Sequence, residues 1–176
     1  MTFFDNTRIG YKLVGGFLAV SVVMILIAIF GVANMNIISS SSDTLYEKGL
    51  LPVQTLDRID AETLNVRINI LRYVLYPEER RDLKKNISAS FNTINTDLDL
   101  YLEKYAQPSN IADFKNLKDL FTQLEAEYQP VMVAADKGNQ TEAIESLAAD
   151  GKRVEIRNKI LGIINPEIVT VMEAAN

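Results

Sequence analysis

Polar and apolar positions divide the chain at once. Val14–Val32 is a run of 19 apolar or small side chains, and no charge occurs between Lys12 and Asp43. As a helix this run would be about 28 Å long, close to the hydrocarbon thickness of a bilayer. A cleaved secretory signal has a shorter apolar region, and only Gly31 and Ala33 offer a small-residue cut site. A helix of a soluble core would show a polar face, which this run lacks. The reading is a retained anchor: residues 1–12 as a cytoplasmic N-terminus, 13–33 as a transmembrane helix, and 34–176 as an outer domain. Arg8 and Lys12 precede the run, while Asp43, Glu47 and Lys48 follow it, so the N-terminus is expected in the cytoplasm and the remainder outside the cell membrane.

Beyond the anchor the pattern is helical. Leu83, Ile87, Phe91, Ile94, Leu98, Tyr101 and Tyr105 step by three or four. Phe114, Leu117, Phe121, Leu124, Tyr128, Val131 and Ala135 alternate three and four throughout, as in a heptad seam. Leu56, Ile59, Leu64, Ile68, Leu71 and Leu75 make an earlier stripe. Ile144, Leu147, Val154, Leu161, Ile164 and Ile168 make a later, less regular one. Breaks fall at Tyr76-Pro77, at Gln107-Pro108-Ser109-Asn110, and at Gly138, where Asn139 and Glu142 have capping-box spacing. Pro52, Pro130 and Pro166 are expected to kink or interrupt helices. The result is an all-α chain with four helices near 34–75, 78–106, 110–137 and 139–176, forming an antiparallel up-down-up-down bundle after the anchor.

Composition narrows the function. Residues 34–176 carry 16 basic and 22 acidic side chains, a balance unsuited to nucleic acid. The chain has no cysteine, histidine or tryptophan. Most metal sites and most nucleophile–base pairs are thereby removed, and no phosphate-binding glycine loop occurs. Neither enzyme activity, a metal nor a cofactor is expected.

KLVGGF and the apolar run after it resemble the first transmembrane segment of methyl-accepting chemotaxis receptors. The helix containing Leu51-Pro52, followed by a helical bundle, resembles their sensor domain, and the likeness covers about residues 8–176. The resemblance implies an extracytoplasmic sensor in signal transduction that homodimerises and passes a small helix motion through the membrane. It further implies that a chemotaxis kinase is reached only through a C-terminal part lying beyond Asn176. A membrane-anchored interaction protein without ligand, or the sensor of a histidine kinase or cyclic-dinucleotide enzyme, has the same outline.

RINILR, residues 67–72, resembles the R-I-N-x-x-R stretch of the enteric aspartate and serine receptors. The likeness implies that Arg67 and Arg72 grip a ligand carboxylate. The plainer alternative makes them solvated residues or partners of Glu62, Glu78 or Glu79. Tyr76 stands where the aspartate receptor has a third arginine, and nothing near Ala148 and Ala149 matches its fourth-helix threonine, so aspartate itself is disfavoured. Arg67 and Arg72 lie roughly 140° apart on a helical wheel, so one helix cannot close both on one small anion. Two copies of the first bundle helix at a dyad can. The expected arrangement is a weak homodimer holding a small organic acid or amino acid between Arg67 of one copy and Arg72 of the other, with Asn69 nearby and Tyr73 and Tyr76 at the pocket edge. Tyr101, Tyr105 and Tyr128 also lie near helix seams, either lining an aromatic pocket or sitting at the core edge with hydroxyls in water. Arg80, Arg81, Lys84 and Lys85 read as a solvated cluster at the far tip.

Overall fold

A computed structural model describes residues 9–148 and 151–174. Helix α1 spans Ile9–Thr44, and a π-helical segment, Leu45–Leu50, follows it directly. Then come α2 (Leu51–Leu75), a 3-10 turn (Pro77–Glu79), α3 (Arg80–Lys104), α4 (Ile111–Asp136), α5 (Gln140–Ala148) and α6 (Lys152–Ala174). No strand occurs among the described residues. The chain forms two compact units that meet between Thr44 and Leu45.

In the first unit, Leu13–Met35 is long and apolar enough to cross a membrane, and none of it is buried. Its one hydroxyl, that of Ser21, donates to the Phe17 carbonyl one turn back (2.9 Å), so that group needs no water, and the one amide side chain, Asn34, lies at the end of the span.

The second unit is a four-helix bundle whose last helix comes in two pieces. α2 packs on α3, α3 on α4, α4 on α5 and α6, and α2 closes the ring against α6. Short connections between successive neighbours make the order up-down-up-down. The core stripes of α3 and α4 are those of the sequence pattern: Leu83 through Tyr101 and Phe114 through Ala135 are all buried. In α2 the pattern is double. Leu56 and Ile59 are buried with Val66, Ile70, Tyr73 and Val74, whereas Leu64, Ile68, Leu71 and Leu75 are exposed. The expected single stripe therefore joined residues from two faces. In α6 the buried positions are Ile156, Ile160 and Ile164, rather than the Val154–Leu161 line.

Helix ends follow local chemistry. Gly138 takes a φ of 78°, and the Gly138 and Asn139 amides bond back to the carbonyls of Ala135 and Ala134, closing α4. The Asn139 side-chain oxygen accepts from the Glu142 amide (3.3 Å) and starts α5. Pro52 lies in the first turn of α2, directly after the π-helical segment. Pro130 and Pro166 are carried inside α4 and α6 without ending either helix.

Cross-helix polar ties sit at defined levels. At the end where α2 begins and α6 finishes, Tyr101 and the Asn110 side-chain amide both donate to Oε1 of Glu167 (2.7 Å each). At the opposite end Tyr73 donates to Asp136 (2.7 Å), and Gln140 to the Val74 carbonyl (3.3 Å). Between them Arg58 of α2 forks onto Asp97 of α3, whose side chain is only 3% exposed. The arginine's pKa rises, first through its hydrogen bond to that carboxylate. Thr55 and Thr63, also buried, donate to carbonyls of their own helix.

Candidate functional site

Arg67 and Arg72 both lie on exposed faces of α2. Arg72 is committed: its guanidinium pairs with Glu79 of the turn after α2. Arg67 has no ion-pair partner among the described residues. The two arginines are not brought together within the chain: Arg72 is turned to Glu79, and Arg67 stands on an exposed face. Asn69 is half-buried and lines a shallow groove of about 300 Å³ between α2 and α3 with Asn65, Asn86 and Thr93. Tyr76 is exposed at the end of α2.

Tyr73 and Tyr101 depart from both expected roles. Tyr73 is 2% exposed, and its hydroxyl is spent on Asp136. Tyr101 is fully buried, stacks on Phe114 with ring centroids 4.2 Å apart, and donates to Glu167. Each phenol places its ring in the core and its oxygen on a carboxylate of another helix, not in water. Arg80, expected in solvent, lies over the Tyr73 ring (5.7 Å) and donates to the Tyr73 carbonyl (3.0 Å).

A constellation not anticipated from sequence gathers around Tyr128 of α4. Arg153, in the first turn of α6, stands 6.0 Å from the Tyr128 ring centroid. It is held by two backbone carbonyls, Glu127 (3.2 Å) and Ser146. Pro130 belongs to this arrangement. It has no amide hydrogen, so the carbonyl of Ala126, one turn before it, lacks its helical donor in the same stretch of α4. Arg157 lies one turn after Arg153 and is half-buried. Burial raises the pKa of the Tyr128 hydroxyl, while the charges of Arg153, Arg67 and Arg157 oppose that rise. Three cations from α2 and α6 thus act on one phenol. The period of the apolar residues could have placed Tyr128 in the core, but nothing local marked Arg153, 25 residues further along the chain, as its neighbour.

A larger cavity, about 910 Å³, opens at the Glu167 end. Lys48, Lys104, Tyr105, Asn110, Glu167 and Thr170 are among the residues lining it. Among the described residues no group of acids is placed to hold a metal ion.

The profile of a four helix bundle sensory module for signal transduction matches residues 6–168. No curated protein and no solved structure gives a significant match. With an apolar helix followed by a closed ring of four helices over nearly all of its length, the chain belongs to the family of four-helix-bundle sensory modules of chemoreceptors.

Proposed function

We propose that the chain is the anchored, extracytoplasmic sensor of a chemotaxis receptor, working as a homodimer through α2. One observation carries this reading. Leu64, Ile68, Leu71 and Leu75 form an exposed apolar line on α2, with steps of four, three and four. That spacing is a coiled-coil seam, and it lies on the bundle helix that follows the anchor in sequence. Each side chain is about half exposed, so covering it would contribute roughly 1 kcal/mol. Eight such residues across a dyad give roughly 8 kcal/mol, within the range of about 4–15 kcal/mol that association costs. The seam alone supports a weak dimer. An anchor that holds two copies in one plane removes part of that cost.

In this reading α1 spans the cell membrane with Arg8 and Lys12 on the cytoplasmic side. A small organic acid or amino acid bound between two copies, with Arg67 facing Arg72 and Asn69 of its neighbour, shifts the dimer toward one arrangement of helices. Arg72 takes part by exchanging Glu79 for the ligand carboxylate, a like-for-like replacement for a guanidinium. The kinase is reached through a region C-terminal to these residues.

The test is cysteine cross-linking, simplified because the chain has no cysteine. In membranes, Ile68→Cys and Leu71→Cys are expected to form disulfide-linked dimers under mild oxidation, and Arg81→Cys is not. Equal cross-linking at all three positions would refute the α2 interface.

A further inference from the structure

The cavity of about 910 Å³ at the Glu167 end lies within the second unit, and the dimer reading does not use it. Its volume falls in the range of about 300–1,000 Å³ that takes drug-sized ligands. Four parts of the chain build its walls: the π-helical segment (Glu47, Lys48), the start of α2 (Leu51), the end of α3 (Lys104) and α6 (Glu167, Val171). The π-helical segment packs on both α2 and α6. Such segments are rare and are frequent at functional sites. This one directly precedes Pro52, which has no amide hydrogen with which to continue an α-helical ladder. Lys48, Lys104 and Glu47 are exposed and have no ion-pair partner among the described residues. Tyr101 and Asn110 both donate to Oε1 of Glu167, so Oε2 keeps its lone pairs for another donor. Two acids and two ammonium groups thus line one cavity without neutralising one another.

We infer that this cavity binds an extended zwitterion, a molecule with an ammonium group at one end and a carboxylate or phosphate at the other. A dianion would meet Glu47 and Glu167, and a polyamine would meet Lys48 and Lys104. A ligand of both signs is complemented throughout. Lys48 and Lys104 supply charge-assisted hydrogen bonds to the anionic end, and Glu47 and Glu167 accept them from the ammonium. Leu51 and Val171 give the atoms between the two ends an apolar surface. A free amino acid holds its charges on a single carbon and leaves most of the cavity empty. A short peptide and the phosphoethanolamine headgroup of a lipid share the chemistry the cavity asks for. Because Glu47 and Lys48 belong to the π-helical segment, an occupied cavity ties that segment to α3 and α6. The tie matters for signalling only under the sensory reading, whereas binding itself does not rest on it.

The experiment uses the full chain in maltoside micelles, with thermal melts and calorimetry at matched ionic strength. The probes are trialanine with free termini and glycerophosphoethanolamine, with N-acetyl-trialanine amide, alanine and succinate beside them. At least one of the first two is expected to raise the melting temperature, and the other three are not. Trialanine alone identifies a peptide as the source, and glycerophosphoethanolamine alone a lipid headgroup. Glu47→Gln and Lys104→Gln should each weaken that binding about tenfold or more, the worth of a charge-assisted hydrogen bond. Both side chains are exposed, and circular dichroism confirms that the variants are folded. Glu78→Gln and Lys84→Gln, at the opposite end of the bundle, should bind as the parent does. Stabilisation by neither zwitterion, equal stabilisation by the capped peptide, or equal weakening by Lys84→Gln would overturn the site. Loss of binding in Arg67→Gln with none in Lys104→Gln would overturn it too, while supporting a ligand between copies. Cross-linking through α2 is measured separately, so the two proposals fail independently.

Discussion

The Tyr101 hydroxyl and Oε1 of Glu167 lie 2.7 Å apart and join α3 to α6 beside the turn that carries Asn110. Tyr101→Phe keeps the ring on Phe114 and removes only this bond. It should lower stability by about 1.5–3 kcal/mol, as for a hydrogen bond to a charged group. Urea unfolding of the full chain, followed by circular dichroism, measures the loss. Tyr101→Ala also empties core volume and should cost more, about 3–5 kcal/mol.

High pH should unfold the bundle through its buried phenols. Burial, then the bond to Asp136, pushes the Tyr73 hydroxyl up to about 12, and Tyr101 is raised by burial and then by Glu167. The folded state favours the neutral phenol, so this contribution is complete below the ordinary value of 10.0 and is lost as pH climbs through the folded values. Melting temperature is expected to hold up to about pH 9.5 and to fall above about pH 10. Tyr73→Phe should make the fall shallower, and tyrosinate absorbance should rise together with unfolding.

Removing Arg58 isolates a buried carboxylate. Arg58→Ala should destabilise by roughly 2–3 kcal/mol, less than for a fully buried pair because that arginine is half in water. Arg58→Ala combined with Asp97→Ala should recover more than half of the loss, since the uncompensated charge is gone. A double-mutant cycle by chemical denaturation reads the difference.

Gly138→Ala isolates backbone strain. No atom lies within 4 Å of the added methyl, but φ is 78°, a conformation that alanine resists. A loss of about 1 kcal/mol is expected, with α5 reporting it first as faster amide exchange.

How legible each helix was depended on how many of its faces are apolar. α3 and α4 each bury one stripe and expose a polar remainder, so the spacing from Leu83 to Tyr101 and from Phe114 to Ala135 reported the core directly. α2 has a second apolar line, Leu64 to Leu75, and periodicity alone could not separate it from the line through Val66 and Ile70. The fourth helix was read as continuous because its apolar residues carry on past the interruption before Lys152. Arg67 and Arg72 were recognisable as candidates from a local motif. The partners that decide their roles were less visible. Glu79, which holds Arg72, is seven residues away across the turn after α2. Likewise Tyr73 and Tyr101 meet acids 63 and 66 residues away, a separation no local pattern encodes.

The placement of polar ties has a mechanical consequence. α2 is pinned to α3 through Arg58 and Asp97, and α4 to α6 through Glu127 with Lys152 and Arg153. Between α2 and residues 152–171 of α6 no hydrogen bond or ion pair is found, and the two helices meet without a directional bond to fix their axial register. That joint is a plain bearing. Slip of an ångström or so along its axis breaks no directional bond at the contact. The resistance comes from catches placed away from that joint: Glu127 holding Lys152 and Arg153 near the start of α6, and Glu167 gripped by Tyr101 and Asn110 toward its end.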